Sequence, residues 1–119
     1  MDVFCKIINR EIPSKKIYED DIVLVIMDVN PRSPGHVLII PKEHYQDLFD
    51  IQLDVLSHIM EVSKKIGNLL IEKLGCKGII LEENNGIVQE VKHFHLHVIP
   101  KYDNKINEDI DSIFHKLID

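Results

Sequence analysis

The chain has 119 residues, with 14 Lys and Arg against 20 Asp and Glu, so its formal net charge is −6. A chain of this length folds as one compact domain, and a composition of 45% hydrophobic and 29% charged residues excludes intrinsic disorder. The net acidity argues against the broad basic face that nucleic-acid binding requires, but it leaves room for a small phosphorylated ligand in a local pocket.

The sequence predicts neither a secreted nor a membrane-bound protein. No apolar stretch approaches the roughly 18 residues of a membrane span, and Asp2 stands where a secretory signal has basic residues. Cys5 and Cys76 are far apart, and we interpret them as free thiols in a reducing compartment. We therefore expect a cytoplasmic protein with no membrane partner.

The first part of the chain predicts an apolar lead-in followed by short strands. The lead-in ends at Pro13, which cannot continue a helix or a central strand. Two prolines and a glycine make residues 30–35 a rigid connection. The predicted strands in this part are 16–19, an apolar and β-branched run at 22–27 that is expected to be buried on both faces, and 36–40.

The second part of the chain predicts two helices and two further strands. Asp50 is the expected N-cap of a long amphipathic helix that ends at Gly75, and Asn107 is the expected cap of a C-terminal helix. Strands are predicted at 78–81 and 91–99. The short connections predict an α+β domain with a mainly antiparallel sheet.

Three histidines alternate with apolar residues in the last predicted strand. Because alternate side chains of a strand point to opposite faces, His93, His95 and His97 form one row. Phe94 and Leu96 form the opposite row, which can pack on the long helix. Adjacent imidazoles add no stability and repel one another when protonated, so the row predicts a chemical role.

One interpretation of this row is a metal site. Neighbouring imidazoles are about 6.7 Å apart at Cα, so one pair could share a zinc ion. His93 and His97 are about 13 Å apart, and a three-ligand site would therefore need His36 or an acid from elsewhere.

The other interpretation is phosphoryl or nucleotidyl transfer with a histidine nucleophile. The central imidazole would attack phosphorus, one flanking ring would donate to a phosphate oxygen, and the other would orient its neighbour. The attacking ring needs one unprotonated nitrogen, and its other N–H needs an acceptor that fixes the tautomer.

The residues around the row resemble the histidine triad (HIT) family and, within it, the nucleotide-binding branch. The segment 89–100, Gln-Glu-Val-Lys-His-Phe-His-Leu-His-Val-Ile-Pro, is similar to the family motif His-x-His-x-His followed by apolar residues. The resemblance extends from about residue 4 to about residue 102, with further similar blocks at 4–13, 18–21, 28–31, 34–42 and 84–86.

This resemblance implies a single HIT domain over residues 1–119, with a half-barrel-like five-stranded antiparallel sheet, one long central helix and a C-terminal helix. It also implies a homodimer in which two such sheets join. The implied activity is hydrolysis of nucleoside monophosphates that carry a leaving group on the α-phosphate, such as adenosine phosphoramidates, with release of AMP.

The resemblance further implies roles for the residues that match the motif. His95 is the expected nucleophile, which forms a covalent nucleotidyl-imidazole that water then hydrolyses. His97 is expected to contact the α-phosphate, and His93 to orient the nucleophile. His36 is expected to hydrogen-bond into the row, and Asp28 to accept from the ribose hydroxyls. The other implied nucleotide-binding residues are Phe4, Ile7, Ile12, Ile26, Met27, Val29, Asn84, Gln89, Glu90 and Val91.

The base pocket has a second interpretation. The resemblance implies that Ile7, Ile26 and Val29 sandwich the base, but these residues are equally consistent with core positions. Asn84 and Gln89 are expected near the phosphate and the leaving group.

Two departures from the family pattern lie just before the histidine row, and the second concerns the leaving group. The stretch between Gly86 and Gln89 is shorter than in many members, and Val88 replaces a frequent glycine. Glu90 replaces a Ser or Thr that often donates to the leaving group. Because an ionised carboxylate cannot donate and repels an anion, we expect weaker use of polyphosphate leaving groups than of neutral or amine ones.

A third departure concerns zinc. Some bacterial-type members hold a structural zinc ion through Cys-x-x-Cys, a histidine after the Pro-Lys block and a histidine near the triad. This chain keeps Cys5 and His44, but Asp2 replaces the earlier cysteine, which weakens a soft-ligand site. We therefore expect no metal or other cofactor, with Cys5 and His44 as ligands if zinc is bound.

Two alternatives to covalent histidine catalysis stay open at this point. One is a metal-dependent phosphohydrolase built on the histidine row. The other is a nucleotide-binding regulatory protein with negligible turnover. In all three cases the expected partner is a purine nucleotide of the AMP type and not a nucleic acid.

Overall fold

Residues 2–119, which the computed structural model describes, form a five-stranded antiparallel sheet with helices on both faces. The sheet order is β1-β2-β3-β5-β4, and the strands are β1 (Lys16–Glu19), β2 (Val23–Met27), β3 (Val37–Pro41), β4 (Gly78–Glu82) and β5 (Leu96–Lys101). The helices are α1 (Val3–Ile8), α2 (Leu53–Leu74) and α3 (Ile110–Ile118). The predicted α+β architecture, with its long central helix and C-terminal helix, is confirmed.

The two faces of the sheet carry separate apolar clusters, because alternate side chains of β2 and β3 point to opposite sides. On one face, Val25 and Ile39 belong to the large core that α2 and α3 cover. On the other, which we call the α1 face, Ile26 and Leu38 pack with Phe4 of α1. All of β2 is buried, as the sequence predicts for a strand covered on both sides.

The structure corrects the predicted N-terminal ends of both longer helices. Gln52, not Asp50, is the residue before α2, and the Asp50 carboxylate instead accepts the Gln46 N–H at 2.8 Å. Asp109, not Asn107, caps α3 through its carboxylate. None of the helices in residues 2–119 is long and apolar enough to span a membrane.

The predicted apolar lead-in is in fact the short helix α1. Asp2 caps this helix, and its carboxylate accepts the Cys5 N–H at 2.8 Å. A helix of six residues is unstable alone. Phe4 is buried against the sheet, so α1 takes its stability from packing, which local propensity does not reveal.

The last predicted strand is also corrected, because β5 begins only at Leu96. Before that point the chain leaves the ladder, and the Phe94 N–H donates to the Tyr45 carbonyl at 2.7 Å. His93 and His95 therefore lie in an irregular segment that leads into β5, not within the strand.

The connection before β3 needs a glycine. Gly35 has a φ of 94°, a left-handed conformation, and an added Cβ would lie 2.6 Å from Leu74 Cδ1 and 3.3 Å from Pro100 Cγ. The turn therefore packs directly against the end of α2 and against β5. This close contact fixes the start of β3, where His36 stands.

Candidate active site

A cavity of about 660 Å³ opens on the α1 face. Apolar side chains from α1 and β2 contribute to its wall, and imidazoles come from β5 and from the residues just before β3 and β5. Most of the residues implied by the family resemblance line it, namely Phe4, Ile7, Ile26, Met27, Asp28, Val29, His36, Asn84, Glu90, Val91, His95 and His97. Its mixture of apolar walls and a few convergent polar groups suits a small ligand with both apolar and anionic parts.

The imidazoles lie on the α1 face, opposite the main core. Phe94 and Leu96 belong to the core that α2 covers, so the alternation predicted from the sequence continues through the irregular segment. The ring centroids of His95 and His97 are 5.0 Å apart, and those of His97 and His36 are 5.1 Å apart. The three rings thus lie side by side along one wall of the cavity, inclined to one another at 66° and 51°.

His36 and His97 form a hydrogen-bonded pair with defined tautomers. The Arg32 backbone N–H donates to His36 Nδ1 at 3.1 Å, so neutral His36 carries its proton on Nε2. That proton is donated to His97 Nδ1, 2.9 Å away, which leaves His97 with its own proton on Nε2. The pair therefore presents an N–H donor on the outer side of His97.

Both rings of this pair are held in the neutral form. Burial lowers the pKa of His36 below its ordinary value. Burial, together with the neighbouring His95 and His36, lowers the pKa of His97 to about 4. Because both rings stay neutral near neutral pH, the hydrogen bonds that connect Arg32, His36 and His97 keep their donors and acceptors.

The tautomer of His95 is set by a backbone carbonyl. Its Nδ1 lies 2.8 Å from the His93 carbonyl oxygen, and because a carbonyl can only accept, Nδ1 carries the proton. Neutral His95 therefore has an unprotonated Nε2. The Phe4 ring packs edge-on against the imidazole, with centroids 4.9 Å apart, and holds its orientation. A fixed ring with a free nitrogen lone pair is what a histidine nucleophile requires.

His93 lies behind the wall of the cavity. Its side chain is fully buried, and its Nε2 lies 2.9 Å from the Pro41 carbonyl oxygen, so Nε2 donates and Nδ1 is unprotonated in the neutral ring. Its carbonyl is the group that orients His95. This placement is compatible with the orienting role that the resemblance implies.

Asp28 borders the cavity beside the imidazole pair. Its Oδ1 accepts the Asn30 N–H at 2.8 Å, and its Oδ2 lies 3.4 Å from His36 Nε2. The carboxylate is thus anchored by one oxygen while both oxygens keep spare acceptor capacity. Such a group can accept hydrogen bonds from two hydroxyls of a sugar.

Gln89 and Ile12 do not line this cavity. Gln89 is buried and donates from Nε2 to the Gln46 carbonyl at 2.5 Å, while its Oε1 has no hydrogen-bond partner within residues 2–119. Ile12 lines an adjacent apolar cavity of about 950 Å³, which shares Ile7 and Ile26 with the first. In this conformation neither side chain borders the space expected for the nucleotide.

An ion pair at the polar end of the cavity was not predicted. Arg32 donates to both carboxylate oxygens of Glu82, at 3.0 and 2.7 Å, and both residues line the cavity. The hydrogen bonds from Arg32 lower the pKa of Glu82 to about 2. Glu82 is placed here because it pairs with His97 in the sheet, and this register cannot be derived from one strand alone. Other lining residues that the sequence did not indicate are Val3, Asn30, Leu38 and Val88.

A second cluster of side chains lies on the far side of His93. Its possible ligand atoms are Asp2 Oδ2, Cys5 Sγ, His44 Nδ1 and His93 Nδ1, and the distances between them are all from 3.0 to 3.6 Å. We call these four residues the zinc-like cluster. Four such donors around one zinc ion, at about 2.0–2.3 Å each, lie about 3.3–3.6 Å from one another. The cluster therefore has nearly the size and shape of a tetrahedral zinc site.

The chemistry of these donors also fits zinc. Thiolate, imidazole and carboxylate are its usual protein ligands, and His93 offers an unprotonated Nδ1 because its Nε2 donates to Pro41. Burial and the nearby Asp2 raise the pKa of the Cys5 thiol, so a bound ion would have to displace that proton. Asp2, expected from the sequence to weaken the site, supplies an oxygen at the fourth corner.

Comparison with known proteins agrees with the fold. The model of the HIT domain family matches residues 9–104. An uncharacterised HIT-like protein of Methanocaldococcus jannaschii is 47% identical over 105 residues, which cover 87% of this chain and 81% of the relative.

Two further relatives have named activities. An adenosine 5′-monophosphoramidase of Saccharomyces cerevisiae is 41% identical over 105 residues, which cover 87% of this chain and 64% of the relative. An adenylylsulfatase of Arabidopsis thaliana is 43% identical over 101 residues, which cover 83% of this chain and 51% of the relative.

The solved structures give the same result. A zinc-bound histidine triad family protein from Mycobacterium smegmatis superimposes with a TM-score of 0.90 at 32% sequence identity. The superposition covers 98% of this chain and 89% of that chain. The family model, the relatives and the solved structure therefore agree, and the chain belongs to the histidine triad (HIT) family.

Proposed function

We propose that the protein hydrolyses purine nucleoside monophosphates that carry a leaving group on the α-phosphate, with AMP derivatives as the main substrates and AMP as the product. The observation that carries this proposal is the hydrogen bond from His95 Nδ1 to the His93 carbonyl, which leaves His95 Nε2 unprotonated beside the cavity. Relatives named adenosine 5′-monophosphoramidase and adenylylsulfatase support the substrate class.

In the first step, the Nε2 lone pair of His95 attacks the α-phosphorus. The bond from phosphorus to the leaving group breaks, and the leaving group departs with the bonding electrons and takes up a proton from solvent. His97 donates its Nε2–H to a phosphate oxygen and stabilises the negative charge that develops there. A neutral His97 can act in this way because its donor is fixed by the His36 hydrogen bond.

In the second step, water attacks the phosphorus of the nucleotidyl-histidine. The bond between phosphorus and Nε2 breaks, its electron pair returns to His95, and the water loses a proton to solvent. The products are AMP and the free enzyme. Over the two steps one water is consumed and one bond to the leaving group is cleaved, as hydrolysis requires.

Among the described residues 2–119, the alternative of a metal-dependent phosphohydrolase has one possible ligand set at the cavity, formed by Asp28, His36 and His97. The hydrogen bonds disfavour it. His36 Nδ1 accepts from the Arg32 N–H, and His36 Nε2 is paired with His97. An ion held there would have to break this pair, whereas covalent catalysis uses the pair as it stands.

The proposal is tested by trapping the intermediate. Adenosine 5′-phosphoramidate is mixed with the protein, the reaction is quenched in alkali, and the peptide that contains residues 93–97 is analysed by mass spectrometry. We expect an adenylyl adduct on His95. The metal-dependent alternative, in which water attacks directly, forms no such adduct.

The matching variant is His95→Ala. We expect it to lose at least about a thousandfold in turnover, because the nucleophile is removed, while it still binds AMP. His115→Ala, at an exposed position on α3, is the control and should retain the wild-type rate. Wild-type turnover by His95→Ala contradicts the proposal. AMP binding by a wild-type protein that cleaves neither the phosphoramidate nor adenosine 5′-phosphosulfate supports the regulatory alternative instead.

A further inference from the structure

The four residues of the zinc-like cluster come from parts of the chain that also form the nucleotide cavity. Asp2 is the N-cap of α1 and Cys5 lies within this helix. His44 follows β3, and His93 lies two residues before His95. An ion bound by these four groups would tie α1 to the segment that carries His95.

The contacts of α1 give the first connection to the nucleotide. Phe4 lies between Asp2 and Cys5 in the sequence. Its ring centroid is 5.8 Å from that of His93 and 4.9 Å from that of His95. Phe4 and Ile7 both line the cavity. A helix of six residues is not stable alone, so α1 is ordered only through its contacts with the rest of the protein. The order of this cavity wall therefore depends on how firmly α1 is attached.

The backbone of His93 gives the second connection. The side chain of His93 is one of the four possible zinc ligands. Its carbonyl oxygen lies 2.8 Å from His95 Nδ1 and fixes the tautomer of His95. Ligation through Nδ1 leaves the Nε2 bond to Pro41 intact and so restrains the ring at both nitrogens.

We propose that binding of one zinc-type divalent cation by Asp2, Cys5, His44 and His93 increases the affinity of the neighbouring cavity for AMP, by fixing α1 and the backbone of His93. The inference rests on the proposed function only in taking AMP as the ligand. Because the coupling is thermodynamic, AMP must tighten the binding of the cation by the same factor.

The cation itself is examined first. The full-length protein is stripped with a chelator, dialysed and titrated with Co²⁺ and Zn²⁺. We expect one ion per chain by elemental analysis and, for Co²⁺, the visible absorption of a tetrahedral site with a thiolate ligand. Hydrogen exchange of the amides in residues 4–8 should slow on addition of Zn²⁺, since α1 becomes anchored.

The coupling is then measured by titration calorimetry with AMP. We expect the Kd of AMP to fall at least about fivefold when Zn²⁺ is bound, within the usual range of coupling between sites. His44→Ala should bind Zn²⁺ weakly and bind AMP as the stripped wild-type protein does, with or without Zn²⁺. His115→Ala, which also removes one imidazole, should behave as wild type.

The outcomes separate this inference from the proposed function. Equal AMP affinity of the stripped and zinc-loaded wild-type protein overturns the coupling but leaves hydrolysis by His95 untouched. The same holds if the protein binds no Zn²⁺. If AMP binds to neither form, the proposed function fails, and the coupling fails with it. Comparison of the two wild-type forms requires no substitution, so a variant that does not fold leaves the test intact.

Discussion

His95 and His36 are each held in one tautomer by a backbone group. The His93 carbonyl accepts from His95, and the Arg32 N–H donates to His36. Backbone groups have only one hydrogen-bonding role each, so they fix the proton on an imidazole more firmly than another titratable side chain would. The Arg32 N–H therefore sets the donor-to-acceptor direction of the whole series of hydrogen bonds, which runs from Arg32 through His36 to His97.

The low pKa of His97 predicts a loss of stability in mild acid. The unfolded chain protonates this ring near pH 6.5, but the folded ring resists protonation down to about 4. The unfolded state therefore binds more protons in this window, and stability that is complete above pH 6.5 is lost as the pH falls toward 4.

The measurement is urea unfolding near pH 7 and near pH 5 for wild type and for His97→Gln, whose amide does not titrate. We expect the wild-type free energy of unfolding to fall more than that of the variant, by at most about 1 kcal/mol per pH unit, because partial exposure reduces the effect. His115→Gln controls for the loss of a surface histidine. Parallel pH dependence of wild type and His97→Gln would rule out this origin.

Glu90 predicts the preference for leaving groups. It lines the cavity as an exposed carboxylate, and it repels an anionic leaving group such as a polyphosphate. Glu90→Gln removes the charge, and Glu90→Ser also introduces a hydroxyl donor. We expect both to raise the kcat/KM of a diadenosine polyphosphate relative to that of adenosine phosphoramidate, on the order of tenfold.

The comparison of the two Glu90 variants identifies the cause. An effect of equal size in both shows that repulsion by the charge dominates, and a larger effect in Glu90→Ser shows the contribution of the donor. If the substrate ratio is the same in wild type and in both variants, Glu90 does not select the leaving group.

The identities of the central residues could be predicted from sequence, but their protonation could not. The two-residue period of a strand predicts that His95 and His97 share a face, and the structure keeps this alternation although β5 begins only at Leu96. Their tautomers depend on the His93 carbonyl and on Arg32, and no local pattern encodes those partners. The place of Glu82 depends in the same way on strand register.

At the scale of elements, the turn before β3 predicts an asymmetry between two glycines. A methyl group at Gly35 would meet Leu74 and Pro100 and would adopt an unfavourable φ, so Gly35→Ala should destabilise the protein by about 1–3 kcal/mol. A methyl group at Gly67, within α2, meets nothing within 4 Å. Gly67→Ala should therefore stabilise the protein, by about 0.5–1 kcal/mol.

Urea unfolding of the two variants beside wild type checks this prediction. Because His36 follows Gly35 directly, we also expect Gly35→Ala to reduce turnover at temperatures where it remains folded, while Gly67→Ala does not. Equal stability of the two variants would mean that the turn relaxes without cost.

Elements with strong local signals were predicted well, and elements that depend on distant contacts were not. Gly75 ends α2 in a left-handed conformation, as the sequence indicated. The helix α1 and the late start of β5 were missed because both depend on partners far along the chain. Phe4 packs on the sheet, and Phe94 donates to the Tyr45 carbonyl instead of joining the ladder.

At the scale of the whole molecule, the two edges of the sheet differ in character. The β1 edge carries Lys16 and Glu19, which form an ion pair at 2.8 Å. The β4 edge carries Ile80 and Leu81, both of which are 43% exposed. Charged edges resist pairing with another strand, whereas apolar edges favour it. The β4 edge is therefore the one suited to the homodimer that the family resemblance implies.

We expect a second copy of the chain to pair along β4. Sedimentation equilibrium of the wild-type protein should then give twice the chain mass of 13.8 kDa. Leu81→Lys places a charge on the pairing edge and should shift the mass toward that of one chain, because a buried lysine at an apolar interface is costly. Ile118→Lys, at an exposed apolar position at the end of α3, is the matched control and should remain a dimer. A wild-type protein that sediments as a single chain at micromolar concentration contradicts the prediction, and dissociation by both lysine variants would place the contact elsewhere.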